Sequence, residues 1–478
     1  HYIKQMSNPQ LIHRSNDNSS LYNTIKARNS KANVFDYGVS GESNVCSVAR
    51  SRVVVNATTS MNSTNAQQLK FELPNFGLLE SMYLRTNFSI GSTNVADAST
   101  DSALVEFAGA FAWSRCRIVY QGNTIFETTP EAVIVGEYTR AGAEKSKQLD
   151  AMLGAGILGS PSDTHTSLTG RRLASATAGG VSVACPINAF FSDSLGRAFD
   201  LYSLSSRVYV EVDYRANSQV HGILDTPANG NLFQNAELIC HVSELSSSEL
   251  VAYQSRNYAP NSVSSQLGYT TSHFAESIAT PIVITGSSTT GNKVKIQSIS
   301  GLVRRLYVFA TLDADRASAT DRAYMKLIDI AKVSFGANNQ TIYELENSAI
   351  FDAESRTASN GYNVDAIIEM HKNNLPMSMG VGQNGALDIA STNALAPIGG
   401  GDCDIAKVKV INFAYNPDDH SSADGSLSFS QLGNPEISVF FPTGHSGATT
   451  LHVVAEILTI NTYNTSANGQ IGFKMITE

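Results

Sequence analysis

Charge is what this sequence has least of. Asp, Glu, Lys and Arg make up 16% of its 478 residues, against about 25% in an ordinary soluble domain. What charge there is sums to −9. That balance excludes the broad basic surface of a nucleic-acid-binding chain, and sequence-specific nucleic-acid binding is not expected. The five cysteines (Cys46, Cys116, Cys185, Cys240 and Cys403) are odd in number and widely spaced, with no CxxC. They exclude a zinc ribbon and a disulfide framework, and read as reduced thiols of a protein made in a reducing compartment. No run of about 18 apolar residues occurs, so no helix is expected to span a membrane. The chain opens at His1 rather than Met, so upstream residues are expected to have been removed or left uncounted. The single tryptophan, Trp113, sits in the apolar run ALVEFAGAFAWSRCRIVY and reads as a buried anchor rather than a ligand platform.

In place of charge the chain has Ser, Thr, Asn, Ala and Gly, a composition suited to strands joined by many turns. Residues 1–50 are polar and weakly patterned. Up to position 35, Lys4, Arg14, Lys26, Arg28 and Lys31 face only Asp17, so this arm is basic on an acidic protein and orders only against something else. Strand signals begin near Arg52. Met82, Leu84 and Phe88 recur at even spacing, as on one face of a half-buried strand. Residues 128–153 are the best helical stretch, interrupted by Gly136 and Gly142. Val208–Val212 and Ala236–Leu245 read as strands, and so do the last apolar runs of the chain. Long Gly/Ser/Thr-rich loops are expected at 154–180 and 361–401. The polar stretch 246–290, with Pro260 and Pro281, reads as a domain boundary.

The sequence repeats itself. RCRIVYQGNTIFETTPEAVIVGEY (Arg115–Tyr138) and AKVSFGANNQTIYELENSAIFDAE (Ala331–Glu354) share a strand, a Gly/Asn turn, the triplet Ile-Phe/Tyr-Glu and a helix-compatible segment with an acid near its start. Gly77-Leu78 to Phe88 matches Gly301-Leu302 to Leu312 without a gap. Val208–Val212 matches Ile437–Phe441, and Glu237–Val242 matches Thr450–Ala455. Four blocks in one order, with loops of different length between them, describe a duplicated β domain. The expected organisation is an arm over 1–50, a first domain over 51–260 and a second over 261–478. Each domain has about eight short strands, and eight strands in two sheets make a jelly roll. The fold class is therefore all-β: two consecutive eight-stranded jelly-roll sandwiches with short helices in loops.

Three segments carry a family resemblance: AFFSDSLGRAFDLYSLSSRVYVEVDY (Ala189–Tyr214), GSLSFSQLGNPEISVFF (Gly425–Phe441) and VYQGNTIFE (Val119–Glu127). They resemble the double jelly-roll major capsid proteins of adenoviruses, nucleocytoplasmic large DNA viruses, virophages and tailless membrane-containing phages. The resemblance spans roughly residues 50–478; the arm has no counterpart in it. It implies a viral major capsid protein located in the virion and made inside a host cell. It also implies homotrimeric, pseudo-hexameric capsomers tiling an icosahedral shell around the genome. The implied partners are neighbouring capsomers and minor capsid or penton proteins. An internal membrane or minor protein would be met by the arm. The alternative from another class is a secreted two-domain β-sandwich lectin or adhesin. Sequons at Asn18, Asn56, Asn62, Asn87, Asn339 and Asn464 suit it, whereas Trp113 within an apolar run and the absence of a disulfide framework oppose it.

Chemistry is sparse. Gly154–Gly159 matches GxGxxG, but a helical stretch precedes it and Ser160-Pro161-Ser162 follows, so it reads as a loop. Gly444-His445-Ser446-Gly447 resembles a nucleophile elbow but has Ala448 in the last glycine position. His452, the one histidine after it, precedes Glu456, which is the wrong order. Asp313 and Asp315 begin like a calcium loop, but Ser318 stands where a glycine is needed. Asp402-Cys403-Asp404 and Asp418-Asp419-His420 read as solvated loop charges. No HxH pair occurs, so a metal-binding cupin is excluded. No catalytic, cofactor-binding or metal-ligating residue is assigned, no cofactor is expected, and the protein is not expected to be an enzyme.

Overall fold

The computed structural model describes residues 48–88, 102–154, 181–223, 233–254, 267–346, 408–414 and 425–476, apart from short breaks within these ranges. The first half contributes β1 (Val48–Asn56), β2 (Gln67–Glu72), β3 (Leu78–Phe88), β4 (Ser102–Leu104), β5 (Trp113–Tyr120) and β6 (Asn123–Thr128). It continues with β7 (Val181–Ile187), β8 (Phe199–Asp200), β9 (Val208–Tyr214), β10 (His221–Ile223) and β11 (Phe233–Leu245). Its main sheets run β1-β11-β3-β7 and β2-β9-β5-β6. The second half contributes β12 (Leu267–Glu276), β13 (Thr280–Thr285), β14 (Asn292–Lys295), β15 (Leu302–Leu312), β16 (Leu327–Ile328) and β17 (Lys332–Ala337). After these come β18 (Gln340–Glu346), β19 (Lys409–Asn412), β20 (Leu427–Ser428), β21 (Glu436–Phe440), β22 (Ser446–Thr465) and β23 (Ile471–Ile476). β22 pairs with β12 and β15, β15 pairs with β19, and the facing sheet runs β14-β21-β17-β18. The central order of the second half, β12-β22-β15-β19 over β14-β21-β17-β18, repeats that of the first, and β13, β16 and β23 are additions to it.

The repeat extends to backbone detail. β3 and β15 each start after a glycine in the left-handed region, Gly77 at φ +82° and Gly301 at φ +92°. The carbonyls of these glycines accept equivalent hydrogen bonds, from Leu201 N–H at 3.0 Å and Phe429 N–H at 2.9 Å. The hairpins β5–β6 and β17–β18 both turn on two residues with positive φ, Gln121-Gly122 and Asn338-Asn339. This is the turn whose twist matches that of the strands it joins. Both hairpins carry a bulge at the same place, after Ile118 in one and after Phe335 in the other. The pairing also revises two of the four sequence matches. Leu84 and Val308 face Leu238 and Val453, so Leu238 corresponds to Val453, two residues from the match the sequence suggests. β9/β21 shifts by two in the same way: the triplet aligns Phe126 with Tyr343, whose partners Ile118 and Phe335 pair with Val210 and Ile437. A shift of two leaves every side chain on its original face, so alternation alone does not detect it.

Alternation builds the first core. β9 (VYVEVDY) points Val208, Val210, Val212 and Tyr214 inward and the residues between them outward. Met82, Leu84, Thr86 and Phe88 do the same in β3. Trp113 is fully buried, and its indole N–H donates to the Gly109 carbonyl at 3.2 Å. Each large apolar side chain so buried contributes on the order of 2 kcal/mol. Cys116, Cys185 and Cys240 are buried free thiols. Burial pushes all three pKa values up, that of Cys240 to about 12, so they stay protonated and unreactive. Cys46 and Cys403 lie outside the described residues.

Several expectations change. β1 begins at Val48, inside the stretch read as arm; the rest of the arm lies outside the described residues. The stretch 246–290, read as a domain boundary, also contains β12 and β13, both paired to β22. Its strand signal is masked because Thr271, Ser272 and His273 are buried polar residues. Pro281 is tolerated because β13 pairs only with β22 and lies at an edge. The helical stretch forms α1 (Pro130–Arg140), which continues through Gly136. That glycine does not interrupt the helix; a Cβ there would stand 2.7 Å from the Phe274 ring, so it permits close packing. The glycine-rich loops lie outside the described residues, as do Asp402–Asp404, Asp418–His420 and all of the GxGxxG stretch beyond Gly154.

The two left-handed glycines at turns give a direct test. A Cβ at Gly77 would stand 2.0 Å from Val242 Cγ1, whereas one at Gly122 meets nothing within 4 Å. Gly122→Ala should therefore cost only the backbone strain, about 1 kcal/mol. Gly77→Ala adds overpacking and should cost about 3 kcal/mol, read as the difference in urea midpoints.

Candidate functional site

The second half is not built like a free sandwich. Its β15 (LVRRLYVFATL) is buried at nine consecutive positions, Val303–Thr311, where β3 alternates. Residues 451–459 of β22 are likewise buried without a break. Both faces of this strand pair are covered: the inner one by the second half's own core, the outer one by the first half. Phe274, Tyr307, Phe309, Val454, Tyr463 and Phe473 accordingly belong to the first half's apolar cluster.

The junction has an aromatic end and a polar end. At the aromatic end Phe190 stacks on Phe473 (5.0 Å) and Phe199 meets the same ring edge-on (5.0 Å). The Asp200 N–H donates to the Tyr463 hydroxyl at 3.0 Å. Phe126 of β6 approaches His273 of β12 edge-on at 5.7 Å. Phe111 stacks on Tyr324 at 4.7 Å, with the Arg215 guanidinium 4.6 Å from the centre of the Tyr324 ring.

The polar end is a chain of charged groups at the N-terminus of α1. Thr129 caps this helix by accepting from the Ala132 N–H at 3.3 Å, Pro130 occupies the first helical position, and Glu131 lies in the first turn. Arg316, beyond β15, donates to Glu131 Oε1 at 3.1 Å and to His452 Nε2 at 3.1 Å. His452 Nδ1 lies 2.7 Å from Glu276 Oε1, and the Thr129 hydroxyl donates to Glu276 Oε2 at 2.5 Å. The Phe309 ring stacks on the imidazole at 4.9 Å. Since a guanidinium only donates, Nε2 accepts and the imidazole proton sits on Nδ1, where it is donated to Glu276. Thr311 also bonds Nε2, at 3.2 Å.

Two acids around a histidine suggest acid–base work, but both imidazole nitrogens are engaged and the His452 side chain is only 1% exposed. The group is chemically a latch: it ties α1 of the first half to β12, β22 and the residues after β15 in the second. Deeper in the second half, Arg305 pairs with Glu456 at 2.7 Å and Arg304 lies 3.9 Å from it, all three fully buried.

Sequence reasoning located parts of this site under other headings. The acid near the helix start is Glu131. His452, weighed as a hydrolase histidine, belongs to the latch. Gly444 precedes β22 and Gly447 lies within it, with no helix following, so no nucleophile elbow forms. Asp313 and Asp315 begin a short helix; Asp313 accepts from Thr450 at 2.5 Å and Asp315 pairs with Lys326 at 3.5 Å. Arg316, the residue that joins the halves, was not singled out. The visible signal was a pair of arginines and a glutamate within strongly apolar strands, Arg304-Arg305 and Glu456. Among the described residues no group of three His, Cys, Asp or Glu could hold a metal ion.

With this arrangement in view, solved structures offer a comparison. The chain superposes on the PBCV-1 virus capsid with a TM-score of 0.58 at 11% identity, over 90% of this chain and 97% of that one. PBCV-1 VP54, fitted into a reconstruction of the virophage Sputnik, gives 0.56 at 11% over the same shares. The Faustovirus major capsid protein gives 0.55 at 11%, over 87% and 90%. The fold is the double jelly roll. No protein-family model matches the chain, and no curated protein sequence does. The double jelly roll thus extends over nearly the whole length of all three compared chains, so the junction lies within the fold rather than between separate additions.

Burial raises the Glu131 pKa, but the Arg316 guanidinium, with Arg215 behind it, outweighs burial and holds the carboxyl below its ordinary value of 4.5. A depressed carboxyl contributes stability above its unfolded pKa and loses it as pH falls through the folded one. Acid titration from pH 4.5 downward should therefore destabilise the wild type more steeply than Glu131→Gln. Arg316→Ala leaves Glu131 buried without its partner and should cost about 3 kcal/mol at neutral pH, measured by chemical denaturation.

Proposed function

We propose that the chain is a viral major capsid protein, a structural component of the virion that assembles as a homotrimer of pseudo-hexagonal outline and tiles an icosahedral shell. The observation that carries this reading is the duplication: one chain holds two sandwiches of the same central strand order, fixed to each other through a buried junction. Likeness in fold to the PBCV-1 and Faustovirus capsid proteins over most of each chain supports it. The function follows from symmetry. A contact between unlike surfaces propagates until it closes a ring; two similar halves per chain let three chains imitate six positions. On this reading the first jelly roll occupies 51–260 and the second 261–478. The basic arm meets an inner membrane or minor protein, and penton or minor capsid proteins fill the remaining contacts. Trp113, the sole tryptophan, is buried, so it offers the lectin reading no exposed aromatic platform.

Light scattering on the purified chain should give three times the 51.1 kDa chain mass, with six-sided outlines in negative stain of the same peak. A stable monomer that never assembles would sink the proposal. Deleting residues 1–35 should leave the trimer intact and impair closed particles; normal particles from the truncated chain would remove the arm's assigned role.

A further inference from the structure

A sheet edge ends in unpaired N–H and C=O groups that invite another strand, and charge on the edge is a usual protection. This fold carries such charge at β1 with Arg52, at β2 with Lys70, at β6 with Glu127, at β14 with Lys293, at β18 with Glu344 and at β23 with Lys474. β7 has no charge, but the short helix Ala108–Phe111 meets it, where a Cβ on Gly109 would stand 3.1 Å from the Ala184 carbonyl oxygen. β12 lies against β6 and α1. β13 is the exception. It reads Thr-Pro-Ile-Val-Ile-Thr, without charge. β22 pairs with it through residues 446–451, and β15 holds the other side of β22 there, so the far side of β13 is an open edge among the described residues.

The side chains of β13 alternate. Ile282 and Ile284 pack on the second core, whereas Pro281 and Val283 point outward. Val283 is 67% exposed, and its ladder neighbour Ala448 is exposed as well; Ile278, just ahead of the strand, is 64% exposed. Such an edge accepts an extended, uncharged, apolar strand, since a charge laid against it would be desolvated without a partner. β13 itself answers that description, and it is self-complementary in antiparallel pairing. With Val283 opposite Val283 of a second copy, Ile282 faces Ile284 and Pro281 faces Thr285. The isoleucine pairs then lie on the core side and the valine pair on the outer side, so the faces of the two sheets continue into one another. Pro281, which has no N–H to donate, falls at the end of the paired stretch rather than at its centre. We infer that β13 pairs antiparallel with β13 of a second copy of this chain, joining two second-half sheets across a two-fold axis. A two-fold contact between like surfaces is complete with two chains and closes no ring of three, so it joins one trimer to the next. This inference rests on the assembly reading above and adds the surface between trimers.

The test is Val283→Cys in the full chain, oxidised with copper–phenanthroline at a concentration where the wild type assembles or, failing that, at its solubility limit. Opposed residues of antiparallel strands have Cα atoms about 5 Å apart, a separation that a disulfide spans. Val283→Cys should give a covalent two-chain species at roughly ten times the yield of Lys293→Cys on the neighbouring edge β14. In parallel, Val283→Asp should keep the trimer mass and circular dichroism of the wild type while forming no larger species by light scattering; the side chain is exposed, so neither substitution disturbs the core. Crosslinking of Val283→Cys no greater than that of Lys293→Cys overturns the inference and leaves the capsid reading standing, and so does a Val283→Asp trimer that assembles as the wild type does. A wild type of single-chain mass overturns both.

Discussion

A strand pair apolar on both faces must be covered on both faces. β15 and β22 are such a pair, and one sandwich covers only one side of them. The rest of the architecture follows from that requirement. The first half supplies the second cover through β6, α1 and the aromatic residues around Phe190 and Phe199. Gly136 lets the helix approach Phe274 closely. The charged groups that the junction encloses are not left alone: Glu131, Arg316, His452 and Glu276 satisfy one another across it. Burial drives the contact, and the polar chain specifies its register, because a misplaced junction would strand charges in an apolar setting.

The duplication makes this junction more than an internal detail. Two copies of one fold, joined through unlike surfaces, define a direction from one half to the next. A chain of that kind is suited to closed assemblies whose repeat is the half rather than the whole.

Much of the fold was legible in the sequence because sandwich strands write their alternation plainly. β9 and β3 show every second residue buried, and the Gln121-Gly122 and Asn338-Asn339 turns sit where the repeat places them. β12 was not legible, since its inward positions are Thr, Ser and His rather than valine or isoleucine. The repeat register was off by two in two blocks because a two-residue shift preserves which face each side chain takes. The latch was harder still. Glu131, Glu276, Arg316 and His452 are far apart in the chain, and only the packing of one half on the other brings them within hydrogen-bonding distance. The continuous burial of β15 had a sequence trace: LVRRLYVFATL lacks the alternation of LLESMYLRTNF, which marks a strand covered on both sides.

If the junction makes the two jelly rolls one mechanical unit, they should unfold as one. Differential scanning calorimetry of the full chain at neutral pH tests this most directly. The account predicts a single transition whose calorimetric and van't Hoff enthalpies agree. Two resolved transitions, one for each jelly roll, would contradict it.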